Sequence, residues 1–174
     1  LILATGSKSY WPDLPGINSE QVVDSRQLYE KRGETGQNIV ILGGGDIGCE
    51  TAEWVYEPGK KITIVEIAPN ILNTMKKTPR GRFLHRLKQK EISILTETRL
   101  TAIETDKVLL QKTDGGEHWI PADQIIISIG SKSEDDLSKK LKNEIETLFI
   151  IGDAHSPGNL GTALRGATET ALKI

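Results

Sequence analysis

Short apolar runs alternate with glycine-rich and amphipathic segments in the first half of the chain. Residues 39–42 and 62–65 are continuous apolar runs, typical of parallel strands that are covered on both faces. Between them, a glycine-rich turn precedes a segment whose apolar positions over 47–55 predict a helix, which Pro58 ends. This order of strand, turn, helix and strand predicts a βαβ unit with a right-handed crossover.

A second helix and a third strand are predicted downstream of this unit. Thr78 and Pro79 have the residue types of a helix N-cap and a first helical position, and Phe83 and Leu87 then fall on one helical face. An apolar run at 92–95 predicts a short strand. The alternation of strands with helices favours an α/β fold.

The pattern then changes to strand-like runs joined by tight turns. These runs are residues 99–106, 107–120 and 122–130. The sequence DGG at 114–116 is a hairpin signal within the second run. We therefore predict an antiparallel meander of about three strands.

The two ends of the chain share one local pattern. Residues 1–7 (LILATGS) and 147–153 (TLFIIGD) each predict a buried strand followed by a turn of small residues, and we expect the first run to pair with part of the returning chain. Between the first run and the βαβ unit, closely spaced prolines indicate a crossing segment, followed by one short helix that ends before Gly33.

The last residues, 161–174, predict a helix that packs by its alanine-rich face. Its apolar positions at helical spacing are Ala163, Leu164, Ala167, Ala171 and Leu172.

Composition excludes several classes of partner and site. The chain has 22 Lys and Arg against 24 Asp and Glu, a formal net charge of −2, so no basic face is implied and neither nucleic acid nor an anionic membrane is an expected partner. Cys49 is the only cysteine, which excludes an internal disulfide. No apolar stretch approaches the roughly 18 residues of a membrane helix and none resembles a signal peptide, so a cytoplasmic location is expected.

Gly43, Gly45 and Gly48 form a G-x-G-x-x-G motif directly after a predicted strand and at the start of a predicted helix. The first glycine permits a tight turn, the second lets a pyrophosphate approach the backbone, and the third lets helix and strand pack closely. The helix N-terminus offers N–H groups and the positive end of its dipole to phosphates. The candidate NAD site includes Asp46 and Ile47 of this loop, although Asp46 does not itself hold phosphate and suits a helix-start position.

Glu66 is the candidate ribose ligand. It lies 23 positions after Gly43, at the end of the second predicted strand, where a carboxylate accepts hydrogen bonds from ribose hydroxyls and repels a 2′-phosphate. The next ten residues contain no arginine, and their first lysine is Lys76. The sequence therefore favours NAD over NADP, with a plain surface glutamate as the alternative.

The remaining reactive side chains do not form a catalytic constellation. His85 and His118 are expected to be solvated. His155 is expected to lie in an ordinary loop, with an approach to a cofactor as the alternative. Cys49 is expected to be a small packing residue rather than an activated thiolate. We identify no catalytic residue and no metal ligand set.

Together, the glycine loop, Glu66, the meander and the two terminal strands resemble the NAD-binding region of FAD-dependent pyridine nucleotide oxidoreductases, the flavoproteins with two dinucleotide-binding domains. The resemblance implies a Rossmann-like FAD/NAD(P)-binding α/β fold in three layers: a parallel sheet, helices on one face and an antiparallel three-stranded meander on the other. It also implies domain bounds. Residues 1–8 would be a strand of the FAD domain, 9–32 a crossing segment, 33–132 the NAD domain and 146–174 the return to the FAD domain.

Residues outside the glycine loop take their roles from the same resemblance. Thr5, Gly6, Gly152 and Asp153 match the FAD side and form only part of an FAD site, with Asp153 near the ribityl or pyrophosphate region. Gly130 ends the family's return strand near the NAD site. The first FAD βαβ unit of the family has no counterpart in this sequence, so we expect a fragment that binds NADH weakly and turns nothing over alone.

The segments 43–53, 60–72 and 151–174 most resemble one subgroup, the NADH:flavin oxidoreductases related to 2,4-dienoyl-CoA reductase and 2-enoate reductase. That likeness implies a parent chain with an FMN barrel and an iron–sulfur cluster. Hydride would pass from NADH to FAD, and electrons through the cluster to FMN and an activated C=C bond. The alternatives are a fragment of an NADH oxidase or disulfide reductase, and a non-catalytic domain that binds an adenine nucleotide.

Overall fold

A computed structural model describes residues 1–31 and 35–174. The described chain forms two compact units, one of residues 11–129 and one of residues 1–10 with 130–174, which we call the sheet unit and the terminal unit. The helix end predicted at Gly33, and the domain boundary predicted there, lie outside the described residues.

Twelve strands and five α-helices are assigned within the described residues. In chain order they are β1 (Ile2–Leu3), β2 (Ser7–Ser9), β3 (Val22–Asp24), α1 (Ser25–Lys31), β4 (Asn38–Leu42), α2 (Asp46–Trp54), β5 (Lys61–Val65), α3 (Lys77–Gln89), β6 (Ser93–Leu95), β7 (Thr98–Ile103), β8 (Lys107–Lys112), β9 (Glu117–Pro121), β10 (Gln124–Ile127), β11 (Ser131–Ser133), α4 (Asp136–Leu141), β12 (Phe149–Ile150) and α5 (Leu160–Ala171).

The sheet unit is built on a parallel sheet with the strand order β3-β10-β4-β5-β6. The three strands predicted from the apolar runs at 39–42, 62–65 and 92–95 are confirmed as β4, β5 and β6. The edge strand β3 was not predicted, because its three residues are too few to show a periodic pattern.

Alternate residues of the central strand β4 face different layers. Ile39 and Ile41 belong to the core that contains residues of α1, α2 and α3, whereas Val40 and Leu42 belong to the core that contains residues of β7 and β8. Because both faces of β4 are covered, every one of these side chains is apolar. The predicted three-layer fold of parallel sheet, helices and meander is confirmed.

The meander contains β7, β8 and β9, but not the run at 122–130 that was predicted to close it. That run instead supplies β10, a parallel strand between β3 and β4. Its Ile125, Ile126 and Ile127 are all fully buried, which fits a strand covered on both faces. The run at 107–120 forms two strands, joined by the predicted DGG hairpin.

Helix α3 begins earlier than predicted. Its N-cap is Lys76, so Thr78 is not the cap and Pro79 is the third helical residue rather than the first. Proline is tolerated there because first-turn N–H groups have no partner within a helix. The predicted apolar face is confirmed, since Phe83 and Leu87 are buried.

The net charge of the whole chain, −2, does not show that helix α3 is strongly basic. Its exposed residues include Lys77, Arg82, His85 and Lys88, and the helix contains no acidic residue. The absence of a basic face, inferred from the near-zero net charge, is therefore wrong for this helix. None of the helices in the described part of the chain is long and apolar enough to cross a membrane.

The terminal unit contains two small sheets. The parallel pair β1 and β12 confirms that the first strand pairs with the returning chain, and β2 pairs with β11 in antiparallel orientation. Helix α5 forms as predicted, and Ala163 and Ala167 are half-buried on its packed face. Leu164 and Leu172, expected on that face, are instead 59% and 84% exposed, and Ala171, expected there too, is also exposed.

Candidate functional site

The turn after β4 can accommodate only glycine at its first position. Gly43 has a φ of 112°, in the left-handed region that side chains disfavour. A Cβ atom on Gly43 would also lie 2.4 Å from the carbonyl oxygen of Ser128, which follows β10. The turn therefore brings the ends of β4 and β10 into backbone contact, as the motif predicts for its first glycine.

Gly48 and Gly44 are required by close packing on the two sides of the loop. A Cβ atom on Gly48, in α2, would lie 2.0 Å from the carbonyl oxygen of Gly43. A Cβ atom on Gly44 would lie 2.3 Å from Cγ2 of Ile71. Sequence reasoning assigned no role to Gly44, although its position inside a run of three glycines was a visible signal.

Gly45 differs from these three glycines because nothing lies within 4 Å of the position of its missing Cβ atom. Its φ of −72° is accessible to any residue, and it is exposed at the N-cap of α2. No side chain caps this helix, so its first-turn N–H groups face an open approach. The arrangement leaves room for an anion at the positive end of α2.

Asp46 and Ile47 occupy the first turn of α2. The Thr74 hydroxyl lies 3.1 Å from each carboxylate oxygen of Asp46 and donates to that group, which ties the start of the helix to the segment after β5. Asp46 thus has the helix-start position that the sequence suggested. Ile47 is 55% exposed and makes an apolar surface beside Gly45.

Glu66 uses both carboxylate oxygens to hold backbone N–H groups. Oε2 accepts a hydrogen bond of 2.7 Å from the Gly44 N–H, and Oε1 accepts one of 2.8 Å from the Ala68 N–H. An ionised carboxylate has about four lone-pair positions, so each oxygen keeps one for a further donor. Glu66 therefore shapes the glycine loop and remains able to accept hydrogen bonds from a ligand.

Gly44 is held by its carbonyl group as well. The Leu72 N–H donates a 2.7 Å hydrogen bond to the Gly44 oxygen. Leu72 is fully buried and has a φ of 54°, an unusual conformation for leucine. Arg80 holds the same segment, since its Nε donates a 3.0 Å hydrogen bond to the oxygen of Ile71.

A cavity of about 430 Å³ adjoins Glu66 within the sheet unit. Two backbone hydrogen bonds hold one wall of the cavity. The Thr98 N–H donates to the backbone carbonyl of Glu66 at 3.0 Å, and the Glu97 N–H donates to the backbone carbonyl of Ala68 at 3.1 Å. The cavity lining comes from residues 12–15, 42–43, 65–67, 98–101 and Ile129. Arg99 belongs to this lining and was not singled out by the sequence, because it lies far from Glu66 along the chain.

Ser128 supplies another polar atom beside the loop. Its N–H donates a 2.8 Å hydrogen bond to the Leu42 oxygen, and its Cβ lies 3.4 Å from the Cβ position of Gly48. Its Oγ atom is buried without a hydrogen-bond partner among the described residues. A single serine in an apolar strand gave no sequence signal for this position.

Cys49 is a packing residue rather than a nucleophile. It is fully buried in the core beneath the helix layer, and burial raises the pKa of its thiol from 9.0 to about 12, with smaller contributions from the Asp46, Glu66 and Glu50 carboxylates. The thiol is therefore protonated at neutral pH. His85, His118 and His155 are all exposed.

The residues matched to FAD lie in the terminal unit, where hydrogen bonds connect the first residues of the chain to the returning segment. Asp153 accepts a 3.0 Å hydrogen bond from Ser7 Oγ, and Thr5 Oγ1 donates one of 2.7 Å to the oxygen of Glu134. Gly6 and Gly152 have positive φ values of 79° and 60°.

Gly130, which was matched to the NAD site, also belongs to the terminal unit rather than to the unit of the glycine loop. Its oxygen accepts a 3.0 Å hydrogen bond from the Tyr10 N–H. Within residues 1–31 and 35–174, no group of three or more histidine, cysteine or carboxylate side chains could hold a metal ion.

We predict unequal losses of stability for alanine at two adjacent loop positions. Gly44→Ala should lower the free energy of unfolding by about 1–3 kcal/mol, because its Cβ atom would overlap Ile71. Gly45→Ala should change it by less than about 1 kcal/mol, because the space is open. Denaturant unfolding of both variants measures the difference, and equal losses would contradict it.

The raised pKa of Cys49 predicts a pH-dependent contribution to stability. Because the folded-state pKa of about 12 exceeds the ordinary value of 9.0, the contribution is complete below pH 9 and is lost as the pH rises toward 12. Unfolding of the wild type and of Cys49→Ala across this range should show their stability difference changing in disfavour of the wild type. A constant difference would indicate an ordinary, solvated thiol.

Comparison with known proteins places this architecture in a family. The family model for pyridine nucleotide-disulphide oxidoreductases matches residues 1–159. The metal reductase of Desulforamulus reducens is 30% identical over 202 residues, covering 99% of this chain and 30% of that protein. The cinnamate reductase of Clostridium sporogenes is 30% identical over 177 residues, covering 100% of this chain and 26% of that protein.

A solved structure shows the same fold. The complex of 2-naphthoyl-CoA reductase with 2-naphthoyl-CoA matches with a TM-score of 0.89 and 25% identity, covering 99% of this chain and 26% of that one. The chain thus spans less than a third of these relatives. Its glycine loop, three layers and family match agree: the chain belongs to the pyridine nucleotide-disulphide oxidoreductase family, and it resembles the enoate reductase-like flavoproteins within it.

Proposed function

We propose that this chain is the NADH-binding region of a flavin-dependent oxidoreductase and positions NADH for hydride transfer to FAD. The family uses pyridine nucleotides and a flavin, which leaves the identity and placement of the nucleotide to be argued from the site. The observation that carries the proposal is the open space at Gly45, beside the uncapped N-terminus of α2 and the Glu66 carboxylate.

The pyrophosphate of NADH would lie over Gly45. The ligand can approach the backbone closely there, because Gly45 has no side chain and no protein atom occupies the Cβ space. First-turn N–H groups of α2 would donate hydrogen bonds to the phosphate oxygens, and the helix dipole would stabilise their charge. Asp46 would not contact the phosphates, since its carboxylate is held by Thr74.

The adenosine ribose would lie at Glu66. Each carboxylate oxygen has one backbone donor and capacity for one more, which suits the 2′- and 3′-hydroxyls of NADH. The adjoining cavity offers a largely apolar lining for the adenine ring, including Ile67 and Leu100. A 2′-phosphate would place additional negative charge next to Glu66 and is disfavoured by that residue.

The chain contributes to catalysis by positioning. Neither Cys49, which is buried and protonated, nor any exposed histidine takes part in a nucleophile–base pair. When bound, FAD would supply the hydride-accepting chemistry, and Thr5, Gly6, Gly152 and Asp153 would form part of its site. We therefore propose that the isolated chain binds NADH and shows no turnover.

The parent enzyme is proposed to reduce an activated C=C bond. This proposal is supported by the similarity to a cinnamate reductase, although each relative is much longer than this chain. An FMN barrel and an iron–sulfur cluster would then belong to parts of the parent beyond this sequence. They would carry electrons from FAD to the substrate.

Binding of NADH should depend on the open space at Gly45. Gly45→Ala is expected to weaken NADH binding at least about tenfold in calorimetric titration, because its methyl group occupies the pyrophosphate position. Gly81→Ala is the matched control, since its Cβ atom would also meet open space but on α3. Equal affinities for the two variants would place the pyrophosphate elsewhere.

Glu66 should set part of the preference between NADH and NADPH. Glu66→Gln keeps one acceptor oxygen for the loop but removes the negative charge, so the ratio of NADH to NADPH affinity should fall about tenfold. Parallel losses for both ligands would show that Glu66 acts only through the loop. Tighter binding of NADPH than NADH by the wild type would contradict the ribose assignment.

A further inference from the structure

The cavity beside Glu66 contains a cation that the proposed NADH site does not use. Arg99, in β7, lines this cavity and is exposed. Its guanidinium group forms no hydrogen bond or ion pair with any residue that the structure describes. An arginine offers five N–H donors in a planar fork that matches the oxygens of a phosphate.

Two backbone hydrogen bonds bring the segment that contains Arg99 next to Glu66. The Thr98 N–H donates to the backbone carbonyl of Glu66, and the Glu97 N–H donates to the backbone carbonyl of Ala68. The first residues of β7 therefore run beside the end of β5, and Arg99 directly follows the residue bonded to Glu66. Among the described strands, β7 is an edge strand of its meander and pairs only with β8.

The charge of Glu66 is already partly balanced. Its two oxygens accept hydrogen bonds from the N–H groups of Gly44 and Ala68, so both backbone dipoles stabilise the anion. Glu66 and Arg99 do not form an ion pair, which leaves the guanidinium available to a ligand. A phosphate next to the ribose would therefore meet a cation as well as an anion.

The other charged groups near Arg99 do not neutralise it. Glu117 accepts a 2.9 Å hydrogen bond from Gln111, the residue opposite Arg99 in β8, and Glu97 makes no ion pair. Asp13 also lines the cavity. Its segment is held at the end of β7 opposite to Arg99, where the Ile103 N–H donates to the backbone carbonyl of Pro15. Among the described residues that line the cavity, Arg99 is the only lysine or arginine.

We propose that Arg99 is a specificity-determining residue of the dinucleotide site, whose guanidinium contacts the 2′-phosphate of NADPH and offsets its repulsion by Glu66. The chain then accepts NADPH with an affinity within about tenfold of that for NADH. No residue between Glu66 and Lys76 could supply this cation, because that segment contains no arginine or lysine. The meander, rather than the loop after β5, carries the determinant.

Because this role rests on the NADH-binding function proposed above, the test includes ligands that separate the two. The whole chain is titrated with 5′-ADP, 2′,5′-ADP, NADH and NADPH by calorimetry, as wild type, as Arg99→Gln and as Arg82→Gln. Arg82 is the matched control, an exposed arginine on α3 that lines a different surface groove. Circular dichroism checks that the variants fold.

Arg99→Gln is expected to weaken 2′,5′-ADP and NADPH about tenfold and to change 5′-ADP and NADH by less than about threefold. Raising the salt concentration should reduce the wild type's affinity for 2′,5′-ADP more than that of Arg99→Gln, because an exposed charge pair is screened. Arg82→Gln should match the wild type for all four ligands.

Three results would overturn the assignment. Equal weakening of all four ligands by Arg99→Gln would mean that Arg99 contacts the shared adenosine and not the 2′-phosphate. Binding of NADH and 5′-ADP by a wild type that rejects NADPH and 2′,5′-ADP would refute the assignment and leave the NADH function standing. Failure of the wild type to bind any of the four would refute both.

Discussion

The candidate site depends on the two hydrogen bonds that fix the Gly44 backbone. The Gly44 N–H donates a 2.7 Å hydrogen bond to the Glu66 carboxylate, and the Gly44 carbonyl oxygen accepts one of 2.7 Å from the Leu72 N–H. The first of these is charge-assisted and therefore stronger than an ordinary backbone hydrogen bond. Because Gly44 is buried, its N–H or its carbonyl group would remain desolvated and unsatisfied if its hydrogen-bond partner were lost, which destabilises the fold. The glycine loop is thus held in one conformation, with Gly45 in the open.

This arrangement links the glycine loop to the end of β5 through one side chain. Glu66 lies at the end of β5 and Gly43 at the end of β4, and Ser128 follows β10. These are adjacent parallel strands, so their carboxyl ends meet at the edge where α/β sheets bind ligands. The alternating apolar residues of β4 anchor this edge in both cores. The rigidity of the loop therefore derives from the whole three-layer fold.

Much of this could be predicted from sequence, because local patterns determine it. Apolar runs gave β4 and β5, and the spacing of Gly43, Gly45 and Gly48 gave the loop. The features that sequence reasoning missed depend on contacts between distant segments. The run that supplies β10 has the composition of any buried strand, and only pairing with β4 makes it parallel.

Two other misses have distinct physical causes. The spacing of Leu164, in α5, and Leu172, its C-cap residue, matches a helical pattern, but spacing does not reveal which helical face finds a partner. Arg99 lies more than thirty residues from Glu66 in the chain, and only the hydrogen bond between Thr98 and Glu66 brings their neighbourhoods together. A search for lysine or arginine limited to the residues that directly follow β5 does not reach Arg99.

Glu66 and Arg99, two of the charged residues that line the cavity, differ in what a substitution would disturb. Glu66 holds Gly44 and Ala68, so a change there alters the phosphate loop together with any ribose contact. Arg99 is exposed and holds no described residue, so a change there alters the charge at the cavity with little effect on the fold. Under the role proposed for Arg99, a change of preference between dinucleotides would leave the loop hydrogen bonds of Glu66 intact. As proposed above, Glu66 would influence selectivity together with the loop, whereas Arg99 would influence it without a hydrogen bond to the described backbone.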